Sequence, residues 1–292
     1  MPQTKRQIEA MLAEAGVRPN RRLGQSFLID GNLMRKLVAA AEIGPSDVVL
    51  EVGAGTGSLT EMLLDRAAHV VAVEIDRGLQ TILEQRLGGR RGLTLLGVDA
   101  LADKNHLAPE VVDAMRAAGA PGSRRMLVAN LPYQIAAPLI IDLLLSGLGV
   151  RRMCFTVQQE LAERIVSPPG RKTFGPLSIV VQALCDWAQI ARLPASVFWP
   201  RPNVASTMLR LDYAEAKAAR IADVRRFVEV VRGCFLHRRK KLAHALEYLF
   251  GEGSGDPVRL PASLSPEDLN RRPEQLTVEE WIALAEAAGA GR

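Results

Sequence analysis

Four short apolar runs, each closed by an acid or an amide, constrain this chain more than any other feature. The run at 47–52 ends in Glu51 and the cluster Gly53-Ala54-Gly55-Thr56-Gly57. Residues 70–73 are closed by Glu74 and Asp76, 93–98 by Asp99, and 126–129 by Asn130. Runs this short and this apolar read as strands buried on both faces. Helical spacing lies between them, at 31–41 (Leu33, Leu37, Val38, Ala41), around Leu59, Met62 and Leu63, and at 79–87, 109–118 and 139–145. Further strands are expected at 153–158, 186–190 and 207–211. Such alternation predicts an α/β fold, a doubly wound Rossmann-like sheet with mostly parallel strands. From about residue 214 the pattern is helical almost throughout, cut by Pro257, Pro261, Pro266 and Pro273. We therefore expect a sheet domain over 1–213, with a helical and basic extension at 1–30, and a small all-helical domain over 214–292.

A glycine cluster after the first strand lets the backbone turn tightly and lets a ligand approach the main chain. Glu74, about twenty residues on, is placed to hold both hydroxyls of a ribose, and Asp99 to accept from an adenine amine. Ligands of open α/β sheets bind outside the carboxyl ends of the strands, where all three features fall. The plainer alternative is that Glu74 and Asp99 cap helices. The glycines lack the usual G-x-G-x-x-G spacing of a pyrophosphate site. S-adenosylmethionine therefore fits better than a nicotinamide dinucleotide, with Gly53, Gly55 and Gly57 in contact.

Asn130-Leu131-Pro132-Tyr133 sharpens that choice. An adenine amine is a poor nucleophile because its lone pair is delocalised into the ring. Two acceptors, the Asn130 side-chain oxygen and a carbonyl such as that of Leu131, would take its hydrogens and direct the lone pair at a methyl donor. Pro132 fixes the turn and offers no competing N–H, and Tyr133 offers a face for the base.

In order and spacing these motifs resemble the KsgA-type rRNA adenine dimethyltransferases. The likeness starts at Arg22-Leu23-Gly24-Gln25-Ser26-Phe27-Leu28-Ile29-Asp30 and runs through the glycine loop, Glu74, Asp99 and the Asn-Leu-Pro-Tyr turn. It continues through Phe198-Trp199-Pro200-Arg201-Pro202 and closes at Arg271-Arg272-Pro273-Glu274-Gln275-Leu276. The resemblance implies a class I S-adenosylmethionine-dependent methyltransferase sheet. Its implied reaction is dimethylation of two adjacent adenosines in the 3′-terminal hairpin of small-subunit rRNA, within a pre-30S-like particle. It also implies donor contacts from Ser26, Leu28, Gly53, Glu74, Asp99 and Asn130. Ser26 stands where members usually carry Asn. The target base would sit between Tyr133 and Phe198. The alternatives are an Erm-type enzyme acting on large-subunit rRNA, and a ribosome-assembly or transcription factor of the same fold with reduced catalysis.

Net charge is +5 over 292 residues, which suits a polyanionic partner. Arg238, Arg239, Lys240 and Lys241 form one basic cluster, and Arg18, Arg21 and Arg22 a second. The three cysteines and four histidines have no metal-ligand spacing. No signal core or membrane-length run is visible. We expect no metal, no membrane partner, a cytoplasmic location and a monomer. The three tryptophans are expected in the core.

Overall fold

The computed structural model describes residues 2–20, 23–104, 106–250, 261–262 and 264–289. Seven strands form the main sheet: β1 (Val48–Val52), β2 (His69–Val73), β3 (Leu93–Leu96), β4 (Arg125–Asn130), β5 (Val150–Gln158), β6 (Cys185–Leu193) and β7 (Ser206–Tyr213). Their spatial order is β3-β2-β1-β4-β5-β7-β6. β1 pairs in parallel with both β2 and β4, β2 with β3, and β4 with β5; β7 runs antiparallel to β5. The order reverses between β1 and β4, so their carboxyl ends splay apart and open a crevice. β1 is buried at every position, as an interior parallel strand must be.

Helices α1 (Lys5–Glu14), α2 (Gly31–Ala41), α3 (Ser58–Leu64), α4 (Arg77–Leu87), α5 (Pro109–Ala117) and α6 (Ala136–Leu145) occupy the connections and the amino-terminal extension, and the short helices α7 (Gln159–Ile165) and α9 (Glu215–Ala218) follow further along the chain. α2 matches its predicted bounds because both ends are signalled locally. The Asp30 carboxylate accepts from the Asn32 and Leu33 amides, and Glu42 closes the helix in the left-handed region at φ 51°. A two-residue pairing of Phe27–Leu28 with Phe198–Trp199 was not visible in the sequence.

The chain divides into two compact units, 1–162 with 187–212, and 163–186 with 213–292. The second unit thus gains 163–186, which we had assigned to the sheet domain. Its helix α8 (Pro176–Leu184) is buried on nearly every side and packs with α10 (Val224–Leu236) and α12 (Val278–Gly289). A helix apolar all round belongs inside a bundle. Trp281 of α12 is fully buried, as expected, but Trp187 on β6 is 44% exposed. Among the described residues no helix is long and apolar enough to cross a membrane, and no cluster of three or more side chains could hold a metal.

Candidate active site

In the first unit, the carboxyl ends of β1, β2 and β4 border a cavity of about 900 Å³, open mouth included. Gly53, Gly55, Glu74, Asp99 and Asn130 to Tyr133 all line it, together with Gln25, Ser26 and Phe27 from the extension. The glycine loop and the Asn-Leu-Pro-Tyr turn therefore share one chamber.

Two glycines of the loop are required by close approach. Gly53 and Gly55 have φ of 78° and 60°, and a Cβ on either would stand 3.0 Å from Pro132 Cγ or Phe27 Cε1 respectively. The Gly53 and Ala54 amides both donate to the Val73 carbonyl, at 2.9 and 3.1 Å, which ties the loop to β2. Gly57 differs from the expectation. It does not line the cavity, and a Cβ there would meet Leu83 Cδ1 at 2.6 Å and Leu87 Cδ1 at 2.8 Å. It starts α3 and makes room for α4.

Glu74 is buried. One carboxylate oxygen accepts from the Gly55 amide at 2.8 Å and the other from the Asp76 amide at 2.9 Å. The Ile75 amide also favours the ionised carboxylate, which leaves acceptor capacity for a ligand. Burial pushes its pKa up, against the pull of those amides. The helix cap is Asp76, which accepts from the Gly78 and Leu79 amides at the start of α4. Glu74 is thereby released for another task. Asp99 is exposed at the cavity edge, where it accepts from the Leu101 amide at 3.0 Å.

Asn130 ends β4. Its side-chain nitrogen donates to the Ser26 carbonyl at 2.9 Å, so its oxygen is turned the other way. That oxygen is buried and has no hydrogen-bond partner. An unsatisfied buried acceptor costs about 1–3 kcal/mol, so it calls for a partner. The Leu131 amide donates to the Thr156 carbonyl at 3.2 Å and fixes the turn. The Tyr133 hydroxyl lies 3.0 Å from Ser206 Oγ, and burial raises the phenol's pKa, so it stays neutral.

Three expected contacts come out differently. The Ser26 hydroxyl donates to the Pro200 carbonyl at 2.8 Å, and its own carbonyl accepts from Asn130. Leu28 is buried and lines a smaller recess behind the glycine loop, outside the main chamber. Phe198 is only 2% exposed, packs in the core with Leu28 and Leu193, and does not reach the chamber. Its strand pairing with Leu28 turns it inward. Phe27, stacked on Trp199 at 6.2 Å, and Tyr133 are the aromatic residues of the wall.

Gln3 is a contributor that sequence reading missed. Its side chain donates to the Thr56 carbonyl at 3.1 Å and accepts from the Thr56 hydroxyl at 2.5 Å, and its amide donates to Ser58 Oγ at 2.9 Å. The extension therefore clasps the glycine loop. No periodicity marks a lone Gln near the amino terminus. Glu51, fully inside, lines the smaller recess with one carboxyl oxygen unpartnered. Burial pushes its pKa up to about 8.

In the second unit, Arg239 and Lys240 are exposed and form no ion pair among the described residues. Arg238 donates to the Lys172 carbonyl at 2.9 Å, and Lys241 to the Asn270 side-chain oxygen at 2.8 Å. Arg21 and Arg22 lie outside the described residues.

Ribosomal RNA small subunit methyltransferase A of Moorella thermoacetica is 38% identical over 282 residues, covering 94% of this chain and 94% of that protein. The protein of the same name from Pelotomaculum thermopropionicum is 36% identical, covering 96% and 95%. Among solved structures, a dimethyladenosine transferase from Plasmodium falciparum superposes with a TM-score of 0.68 at 24% identity, over 87% of this chain and 94% of its own. The 23S rRNA methyltransferase ErmE superposes at 0.60 with 22% identity, over 90% and 99%. Those two likenesses bear on the fold alone. The family described as ribosomal RNA adenine dimethylase matches residues 16–263. With the sheet order, the chamber and the near full-length relatives in agreement, this chain belongs to the ribosomal RNA adenine dimethylase family.

Proposed function

We propose that this chain dimethylates the N6 amines of two adjacent adenosines in the 3′-terminal hairpin of small-subunit rRNA, with S-adenosylmethionine as donor. The observation that carries the reading is the buried, unpartnered Asn130 oxygen beside the glycine loop. Its nitrogen is committed to Ser26, so the free atom is an acceptor, which an amine hydrogen satisfies. The names of the near full-length relatives favour the small subunit.

The residues present fit such a donor. Glu74 retains acceptor capacity for a ribose hydroxyl, Asp99 stands at the edge for an adenine amine, and Gly53 and Gly55 leave the main chain open. When bound, the donor supplies an electrophilic methyl group on a sulfonium that departs as a neutral thioether. Asn130 and the Leu131 carbonyl take the two hydrogens of the target amine and hold its lone pair out of conjugation. Tyr133, anchored through Ser206, gives the base a fixed face. The target base is reached out of its stack or in a loop. The chain's work is alignment and placement of acceptors. No side chain needs to act as a strong base, because the methylated ammonium is acidic enough to lose its proton to water. A second round requires the mono-methylated amine to rotate against the same two acceptors.

The substrate is rRNA in an assembling small subunit, and the acting species is a cytoplasmic monomer. Incubation with labelled donor and either small- or large-subunit rRNA, followed by primer extension, tests the proposal. Arrest at neighbouring adenosines of the small-subunit hairpin is expected. Arrest on large-subunit rRNA alone would transfer the chain to the Erm-type reading, and no incorporation would leave a binding factor.

A further inference from the structure

The second unit carries a surface feature that the methyl-transfer site does not use. α10 ends at Leu236 and α11 (Leu242–Phe250) begins six residues later. The intervening turn is held by the His237 and Arg238 amides, which donate to Cys234 and Phe235 carbonyls at 3.3 Å, and by the Lys240 amide, which donates to His237 at 2.8 Å. Leu242, Ala245 and Leu246 bury one side of α11. His244 and Tyr248, four residues apart, share the other. The His237 ring stands edge-on to both, 4.2 Å from the Tyr248 ring at 64° and 5.7 Å from that of His244 at 85°. Tyr248 is 57% exposed and Leu236 75% exposed.

Solvent-facing rings on a helix end ordinarily disperse among charged side chains. Here they are gathered, and they adjoin a turn that supplies four cations in succession, Arg238 to Lys241. Arg238 and Lys241 bond only neutral oxygens, and Arg239 and Lys240 have no ion-pair partner among the described residues. Glu247 lies on this side too, 3.9 Å from His244 Nδ1. An apolar protein patch would cover the rings and strand the cations. An RNA strand satisfies both, since every base has a face to stack and every phosphate a charge.

We propose that His237, His244 and Tyr248 form a stacking platform for an unpaired base of the substrate RNA, whose flanking phosphates Arg239 and Lys240 hold. The platform rests on the reading that the substrate is RNA, and it is a site separate from the amine chamber. A base within a duplex has its faces covered, so the partner is a loop, bulge or end.

Fluorescence anisotropy on the full chain tests it, with a short unstructured RNA, a duplex of equal length and vesicles of anionic phospholipid as probes. Tyr248→Ala should weaken unstructured RNA roughly tenfold and leave duplex binding unchanged, while Tyr248→Phe, which keeps the ring, should bind as the parent chain does. Equal affinity of Tyr248→Ala and the parent would overturn the platform. So would a Tyr248 dependence seen with vesicles and absent with RNA. Should Tyr248→Ala fold poorly, photocrosslinking of the parent chain to 5-iodouridine RNA decides. Adducts on Tyr248 or His237 support the platform, and adducts confined elsewhere refute it. Calorimetry with the methyl donor reads the first unit separately. A chain that binds no donor yet retains the Tyr248 dependence would sink the methyl-transfer reading and leave the platform standing.

Discussion

In the proposed reaction Asn130 holds the target amine and Glu74 the methyl donor, and single substitutions should separate the two roles. Asn130→Ala removes an acceptor already held in place by the bond of its side-chain nitrogen to the Ser26 carbonyl. Turnover should fall by about 10²-fold or more with modest loss of donor affinity, judged from the usual cost of deleting one preorganised hydrogen-bonding group. Single-turnover kinetics beside donor calorimetry would show it, and unchanged turnover would remove Asn130 from the mechanism. Glu74→Ala should act chiefly on donor affinity, because it removes the ribose acceptors and releases the Gly55 amide together. Calorimetry that gives the parent affinity would refute that role. Glu51 affects stability instead. Unfolded, its carboxyl ionises near 4.5; folded, burial holds it protonated up to about 8. Between those values the folded state keeps a proton that the unfolded state has lost. Stability is therefore full below 4.5 and declines up to about 8, by roughly 1.4 kcal/mol per pH unit. Glu51→Gln should melt higher than the parent chain at pH 8, with the gap closing toward pH 4.5. Parallel melting curves across that range would contradict the assignment.

Among the elements, the loop between β1 and α3 shows how one motif carries two duties. Gly53 and Gly55 face the chamber, whereas Gly57 faces Leu83 and Leu87 of α4. Gly57→Ala forces a side chain into the left-handed region and into α4, a cost of about 2 kcal/mol or more. A fall in Tm of roughly 4–8 °C with donor affinity retained is expected. If donor affinity falls and Tm holds, Gly57 belongs to the ligand after all. Spacing alone could not separate the three glycines, because it shows where the chain turns and not what lies across the turn. α8 illustrates a different gap. Residues 176–184 are apolar and rich in β-branched side chains, so neither helical nor strand periodicity stands out, and the sequence assigned them no element. α2 had Asp30 at its start and an amphipathic stripe, and was read correctly to the residue.

At the scale of the whole molecule, the net charge of +5 and the run Arg238 to Lys241 suit a polyanion. RNA affinity should fall steeply with salt. Replacing Arg239 and Lys240 together with Ala should make the log–log slope shallower by roughly 1.4 for single-stranded RNA, at about 0.7 per phosphate neutralised. An unchanged slope would show that these two cations contact no phosphate. Composition changes near residue 213, where the helical pattern begins. The grouping of 163–186 with those helices was not legible, because a segment's unit is set by what its apolar side chains meet. The sequence by itself determined the alternation of strands and helices, the acids and amide at the strand ends, and hence the carboxyl edge as the site. These follow from period and chain order, which are local. Tertiary structure alone decided that Phe198 lies in the core while Phe27 lines the wall, that Ser26 acts through its carbonyl, and that Gln3 clasps Thr56. Each depends on residues far apart in the chain meeting across a pairing or a packed face. No local pattern encodes which side of a two-residue strand will turn inward.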